Sequence, residues 1–202
     1  MSVGLHDRGR WAGLLAEASL ERAAQPLRIC QLCVEMLGLT GAGISIVTET
    51  GNRGVVCATD EVSAEIEQLQ FSLGEGPCID AVASGAPVLV PDLQQPSDVI
   101  VDRWPAFMAH AGSVGVRAVF ALPLTIGAIR VGAMDLYRDS PGELGSDELS
   151  AALMAADAAA VGLLHMDTAH VDVFADDAGA RSTYQLQVHQ ATGMVSAQVN
   201  VP

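Results

Sequence analysis

Apolar positions recur along the chain with two different periods, and each period predicts a different kind of element. Steps of three and four residues predict helices over 11–24 and 26–37. Short apolar runs bounded by turn residues predict strands over 41–48 and 54–59, paired as an antiparallel hairpin. The first third of the chain is therefore expected to hold two helices and then a hairpin.

The same reading continues through the middle of the chain. Asp60 is placed to cap a short helix that runs to Leu69, because an aspartate before a helical segment accepts from its first N–H groups. The later elements are expected to be helices over 79–84 and 102–111, a strand over 87–90, and strands over 117–125 and 128–137 joined by a tight turn at Ile126-Gly127.

A long helix is expected after residue 145. Ser146 is predicted to cap it, with Asp147 and Glu148 in its first turn. Its apolar positions repeat in steps of four and three, which is the spacing of a seam that packs on a sheet or on a second copy. These positions are Leu149, Leu153, Ala156, Ala160 and Leu163.

Strands and helices alternate irregularly, with several hairpin-like connections. This order predicts an α+β fold, with a central antiparallel sheet, helices packed on one side of it and loops on the other. Residues 171–182 are acidic and small and predict a linker. A further amphipathic helix is expected after it, with a seam at Tyr184, Val188, Ala191 and Val195. One such helix buries little by itself, so we expect a homodimer in which helices of two copies pack together.

Composition narrows the classes of function. Half of the residues are hydrophobic, 24 acidic residues face 10 basic ones, and the formal net charge is −14. A surface of this charge repels phosphate backbones, so the chain as given is expected to be a poor nucleic-acid binder. No apolar stretch precedes Glu17, and the apolar run 149–166 contains Asp157, so neither a signal peptide nor a membrane span is expected. These features favour a cytoplasmic protein with reduced cysteines.

The stretch FSLGEGPCIDAVASGAPVLVPDL (71–93) is the most distinctive part of the chain. Its glycines imitate a phosphate-binding loop, but the GK[ST] ending is missing and no basic residue lies nearby. Cys78 stands at the predicted start of a helix, a place that lowers a thiol pKa, yet no cationic side chain adjoins it in sequence. The alternatives are therefore a redox-active Cys78 and a small buried side chain. Cys30 and Cys33 form a lone CxxC on the apolar side of a helix, which indicates core packing.

The order of pieces then resembles a known family. LGEGPCIDAVASGAPVLVPDL, followed by VRAVFALPLTIGAIRVGAMDLY and a long helix, resembles the GAF sensor domains over residues 20–168. The tail YQLQVHQATGMVSAQVNVP resembles the opening of an ANTAR domain, a helical module that binds RNA hairpins and prevents transcription termination. The resemblance implies a GAF–ANTAR protein of actinobacterial type. Its expected parts are a helical extension (1–19), a GAF-like domain (20–168), a linker (169–182) and the first helix of an ANTAR-like domain cut short (183–202).

The resemblance implies that the chain senses a small molecule and is not an enzyme. RNA is expected as the partner of an intact regulator but not of this chain, and no cofactor is expected. Haem on His110 and cyclic nucleotides are disfavoured. Candidates for the pocket are Cys57, Phe71, Gly74, Glu75, Gly76, Cys78, Asp92, His110 and Asp135.

Two other functions stay open at this point. One is a thiol-dependent methionine sulfoxide reductase that uses Cys78, because one GAF lineage has this activity. The attacking cysteine of that lineage precedes the strand that here reads RAVFALPL, and residues 99–117 contain none. The other is a dimerisation scaffold without a ligand, whose pocket is filled by its own side chains.

Overall fold

A five-stranded antiparallel sheet lies at the centre of the computed structural model, which describes residues 9, 11, 13–15, 25–47 and 53–165. The strands lie in the order β2-β1-β5-β4-β3. They are β1 (Gly41–Val47), β2 (Arg53–Ala58), β3 (Val88–Val90), β4 (Ala118–Ile126) and β5 (Ile129–Arg138).

Six α-helices accompany the sheet within residues 25–47 and 53–165. They are α1 (Gln25–Leu37), α2 (Glu61–Leu73), α3 (Pro77–Ser84), α4 (Asp98–Arg103), α5 (Pro105–Ala111) and α6 (Ser146–His165), and a 3-10 turn (Gly112–Val114) follows α5. The residues described near the N-terminus, between 9 and 15, are also helical.

The predicted α+β class and the antiparallel sheet are confirmed. The placement of the helices differs from the expectation in one respect, because both faces of the sheet carry helices. Helices α1 and α6 cover one face, and α2 and α3 pack on the other, where loops were expected. We call the first the dry face and the second the polar face.

The dry face holds the larger apolar core. Strands β1, β4 and β5 contribute Ile44, Phe120 and Met134, all fully buried. Helix α6 meets them mainly with alanines, and these small side chains allow its backbone to approach the strands closely. Trp11 belongs to the same core and donates its indole N–H to the carbonyl of Ala151 (3.0 Å).

Several elements begin or end at residues other than those predicted from the sequence. Asp60 caps α2 as predicted, accepting from the N–H of Ser63 (2.9 Å), but the helix continues to Leu73, beyond the predicted end at Leu69. Ser146 is the first residue of α6 rather than its cap, and the turn between β4 and β5 is Gly127-Ala128.

The helix predicted over 102–111 is two short helices that meet at Trp104 and Pro105. The proline ring removes an N–H and disfavours a helical conformation at the residue before it, so α4 ends and α5 begins there. Asp80 on α3 holds this junction, because it accepts from the Trp104 indole (3.0 Å) and forms an ion pair with Arg103.

Arg138 ends β5 and fastens the two long helices to the sheet. It donates to the carbonyl of Leu37 at the end of α1 (3.3 Å) and pairs with Glu148 in the first turn of α6 (3.1 Å). Its guanidinium also lies over the ring of Phe120, 5.6 Å from the ring centroid. One side chain therefore connects strand, α1 and α6.

The five seam positions predicted on α6 do not form one exposed face. Ala156, Ala160 and Leu163 are buried in the core of the same chain, and Leu149 is half-buried, because this side of α6 packs on the sheet. Leu153 is exposed. The predicted linker and the seam at Tyr184, Val188, Ala191 and Val195 lie outside the described residues.

Candidate functional site

Strand alternation brings two polar side chains to the polar face. Successive residues of a strand point to opposite sides, so Met134 and Leu136 enter the dry core while Asp135 and Tyr137 point the other way. Asp135 has no exposed surface and Tyr137 almost none. The neighbours of Asp135 on β1 and β4 are Gly43 and Ala121, whose small size leaves room above the carboxylate.

Helix α2 faces these strands with polar residues. Ser63, Glu67 and Gln70 are buried at helical spacing, so one stripe of the helix looks onto the sheet. Glu67 fits because Gly43 lacks a side chain, and a Cβ there would lie 2.7 Å from Glu67 Oε1. A glycine on β1 is therefore a condition for placing this carboxyl group in the interior.

Hydrogen bonds join these groups into one buried set, which we call the polar cluster. Its members come from β1, α2, α3 and β5, and they are Ser45, Glu67, Gln70, Cys78, Asp135 and Tyr137. Ser45 and Tyr137 each donate a hydroxyl to Glu67. The Gln70 amide donates to Asp135 Oδ2 (2.6 Å), and the Tyr137 hydroxyl lies 3.3 Å from the same oxygen.

Gln70 also fixes the start of α3. Its side-chain carbonyl accepts the backbone N–H of Cys78 (2.8 Å), in the first turn of that helix. Gly76 precedes the helix with φ +132°, and a Cβ there would lie 2.7 Å from Gln70 Oε1. This close approach requires glycine, and it brings the Cys78 thiol beside the two carboxyl groups.

The other oxygen of Asp135, Oδ1, is buried and has no hydrogen-bond partner among the described residues. Such an atom is costly to bury, because it has lost its water without gaining a protein donor. It is the one buried side-chain polar atom in the described part of the chain with this property. The polar cluster thus has an unused acceptor at its centre.

Burial shifts the acid–base behaviour of the cluster. It raises the pKa of Asp135 to about 6, against the opposing hydrogen bonds from Gln70, Glu67 and Tyr137. Burial and the charge of Asp135 raise the pKa of Glu67 well above its usual value, and burial likewise raises the pKa of Tyr137. Burial therefore favours the uncharged form of both carboxyl groups.

Comparison with known families decides what the fold is. A family model described as GAF domain matches residues 27–163, more than half of the chain. The chain belongs to the GAF domain family. No curated protein sequence matched the chain.

Solved structures agree with the fold assignment. The GAF domain of an Acinetobacter phosphoenolpyruvate-protein phosphotransferase superposes with a TM-score of 0.63 at 8% identity, covering 80% of this chain and 95% of that one. A type II free methionine-R-sulfoxide reductase from Thermoplasma acidophilum gives 0.54 at 17% identity, covering 76% and 97%. The chromophore-binding domain of a bacteriophytochrome from R. palustris gives 0.55 at 10% identity, covering 77% and 59%. At these identities the likeness establishes the GAF fold alone.

Two of the predicted pocket residues of this GAF domain, Cys78 and Asp135, meet in the polar cluster, and Gly76 adjoins it. Glu75 and Gly74 are close to Gly76 in sequence, but each contributes to the end of a helix. Glu75 Oε1 accepts the N–H groups of Ala106 (2.6 Å) and Phe107 (2.8 Å) at the start of α5, and Gly74 ends α2 with φ +69°.

The other predicted pocket residues lie elsewhere. Asp92 forms a two-oxygen ion pair with Arg117 (3.0 and 3.1 Å), which helps the N–H of Gln94 to lower its pKa. His110 is exposed at the end of α5, with Nδ1 2.9 Å from the Ala106 carbonyl. Phe71 is half-buried on α2.

Cys57 belongs to the dry face, because its Sγ lies 4.0 Å from that of Cys30 on α1. Cys30 and Cys33 are fully buried in the same core, and burial raises the pKa of Cys33 to about 12. These values suit core packing rather than a reactive pair. The sheet separates all three thiols from Cys78.

Four members of the cluster were missed in the sequence: Ser45, Glu67, Gln70 and Tyr137. A signal for two of them exists. In β1 the residues Gly41, Gly43 and Ser45 alternate with Ala42, Ile44 and Ile46, which indicates one apolar face and one face that a helix approaches closely. In α2 the stripe that continues from the Asp60 cap passes through Glu67.

None of the helices in the described residues is long and apolar enough to cross a membrane.

Proposed function

We propose that this chain is the sensing and dimerisation part of a transcription antitermination regulator, and that its GAF domain binds a small ligand at the polar cluster. The observation that carries the sensing role is the buried Oδ1 of Asp135, which lacks a donor among the described residues. A ligand that presents a cationic or N–H group would satisfy this atom.

The chemistry of the cluster narrows the ligand class. Two carboxyl groups, an amide and a phenol meet there, and within the described residues no arginine or histidine bonds to either carboxyl. An anionic ligand such as a nucleotide phosphate finds no partner in such a site. The proposal therefore favours a cation or a neutral hydrogen-bond donor as the ligand. We also propose that this chain binds its ligand without acting on it as an enzyme.

The experiment for sensing is native mass spectrometry of the purified chain, followed by thermal shift against a panel of small amines, amino acids and metal ions. We expect a bound or stabilising ligand, and we expect Asp135→Asn to abolish the shift. Asp139→Asn is the matched control, because Asp139 is an exposed aspartate on the same polypeptide segment.

The alternative of a scaffold without a ligand has its own support, since the polar cluster fills its space with its own hydrogen-bonded side chains. If no co-purified species and no stabilising compound is found while the dimer persists, the sensing role is wrong and the scaffold is right.

The reductase alternative gains less support. Cys78 is 2% exposed, and the other described cysteines lie across the sheet from it, so none of those thiols adjoins it to complete a disulfide. Turnover of methionine sulfoxide that is lost in Cys78→Ser would overturn the proposal that this chain is not an enzyme.

Dimerisation is proposed through the outer side of α6, where Leu153, Met154 and Val161 are exposed by 39, 38 and 48%. Light scattering should give a dimer for the parent and a monomer for Met154→Glu. Val99→Glu is the control, since Val99 is an exposed apolar residue on α4, away from α6. A parent that is strictly monomeric at high concentration would contradict this part.

The output proposed for the regulator is RNA-hairpin binding by an ANTAR domain. Residues 183–202 of this chain resemble the opening of such a domain. With a net charge of −14, this chain itself should not retard an RNA hairpin in a gel, whereas a version extended by a complete ANTAR domain should. Tight RNA binding by the present chain would show that the tail has been misread.

A further inference from the structure

Three potential metal ligands meet in the polar cluster. One carboxylate oxygen of Glu67, one of Asp135 and the Sγ of Cys78 all lie within 4.8 Å of one another. Their exposures are 1, 0 and 2%. Each comes from a different element, namely α2, β5 and α3, so no short sequence motif announces the group.

The cluster has a charge problem that the described residues do not solve. Two buried carboxyl groups face each other, and burying them without a cation is costly. The described arginines with ion pairs serve other acids. The pairs are Arg28 with Glu35, Arg103 with Asp80, Arg117 with Asp92 and Arg138 with Glu148. Either protons or an incoming cation must neutralise Glu67 and Asp135.

We propose that Glu67, Cys78 and Asp135 form a divalent metal site that selects Zn²⁺, and this inference rests on the proposed function of the polar cluster as the ligand site. The unpartnered Asp135 Oδ1 supplies the independent sign of a missing ligand. A thiolate beside two carboxylates favours zinc over magnesium or calcium, which take oxygen ligands alone.

The distances fit such a site after a small contraction. Zn–S bonds of about 2.3 Å and Zn–O bonds of about 2.0–2.2 Å place tetrahedral ligand atoms roughly 3.4–3.6 Å apart. Atoms that already lie within 4.8 Å of one another need to approach by no more than about 1.4 Å to reach this spacing.

Hydrogen bonds already orient the ligands. Ser45 and Tyr137 hold Glu67, and Gln70 holds Asp135 with its amide and the Cys78 backbone with its carbonyl. Partners of this kind fix the direction of metal ligands, and their loss typically weakens metal affinity about 10–100-fold. Zinc binding would release the thiol proton, together with any proton held by the two carboxyl groups, to solvent and leave a fourth position for water or a small ligand.

The test uses the whole chain, treated with a chelator and then titrated with ZnCl2 or CoCl2. We expect one Zn²⁺ per chain, a raised melting temperature, and a near-ultraviolet thiolate-to-cobalt absorption with Co²⁺. Cys78→Ser should remove that absorption, and Asp135→Asn and Cys78→Ser should each weaken Zn²⁺ binding by on the order of 100-fold or more, beyond the effect of losing an orienting partner.

Cys33→Ser is the matched control, because Cys33 is an equally buried thiol on the dry face. Circular dichroism confirms that each variant is folded. If a variant unfolds, X-ray absorption of the zinc-loaded parent decides instead, with one sulfur and at least two oxygen ligands expected.

Loss of the cobalt absorption in Cys33→Ser but not in Cys78→Ser would overturn the inference, as would a parent that binds neither metal. In the second case, an organic amine that still stabilises the parent and not Asp135→Asn would leave the proposed function standing. If no compound does so either, the proposed sensing function fails together with the metal site.

Discussion

The two faces of the sheet are made by the same strands but reach burial by different means. On the dry face, Phe120, Met134 and Leu136 pack against alanines of α6, and burial of apolar area stabilises the contact. On the polar face, Asp135 and Tyr137 of the same β5 meet Glu67 and Gln70, and only mutual hydrogen bonds offset their lost hydration. The dry face is therefore suited to stabilise the fold. The polar face is suited to replace hydrogen bonds within the cluster by hydrogen bonds to a ligand.

The largest effect should come from the dry face. Phe120→Ala is expected to lower the free energy of unfolding by about 3–5 kcal/mol, because it removes a fully buried ring and leaves a cavity. Urea denaturation measures the loss. Thr125→Ala, an exposed change on the same strand, should stay within about 0.5 kcal/mol. A loss below about 1 kcal/mol for Phe120→Ala would remove the assigned role of the dry face.

The next test adds bulk to the polar face. Gly43→Ala puts a Cβ 2.7–2.9 Å from the Glu67 side chain, so Glu67 must leave its place. We expect about 1–3 kcal/mol of destabilisation in thermal unfolding. Gly112→Ala is the control, since nothing lies within 4 Å of its added Cβ. The double change Gly43→Ala/Glu67→Ala should cost less than the sum of the single ones, and strict additivity would show that Glu67 is not the obstacle.

Tyr137→Phe removes one donor from the cluster while keeping its shape. Glu67 loses a hydroxyl partner and Asp135 a nearby one, so we expect about 1–2 kcal/mol of lost stability by chemical denaturation. Met134→Leu, at a fully buried dry-face position of the same strand, should cost less than about 1.5 kcal/mol. A neutral Tyr137→Phe would indicate that water replaces the phenol.

The smallest effect concerns the anchor of α2. Asp60→Ala should cost about 1 kcal/mol, because the side chain accepts from the Ser63 N–H at the start of the helix. Burial opposes the shift, but the hydrogen bonds from Ser63 and Thr59 prevail and lower the pKa of Asp60 in the folded chain. Its stabilisation is therefore present above the pKa of the unfolded chain and is lost as the pH falls through the lower folded value.

The pH test compares the parent with Asp60→Ala by thermal unfolding between pH 7 and acid. The difference in stability between the two should shrink as the pH falls through the carboxyl range. A difference that stays constant into strong acid would contradict the capping role of the charged form.

The sequence predicted the fold better than the site, and the reason is physical. The β1–β2 hairpin, the β4–β5 hairpin and the long helix follow from local periodicity, which neighbouring residues determine. The polar cluster depends on pairs far apart in the chain, with Gln70 and Asp135 separated by 65 residues and Glu67 and Tyr137 by 70. Asp135 was identified as a pocket candidate through the family resemblance, and Cys78 also through its place at a predicted helix start. Glu67 resembled any surface acid of an amphipathic helix.

The placement of Arg138 has a mechanical consequence. Asp135 and Arg138 lie on one strand, three residues and roughly 10 Å apart. Asp135 belongs to the polar cluster, and Arg138 binds the end of α1 and the start of α6. Under the proposed function, a displacement of β5 by a bound ligand would reach both long helices directly through these Arg138 contacts. β5 thus connects the polar cluster to α6 through a single strand.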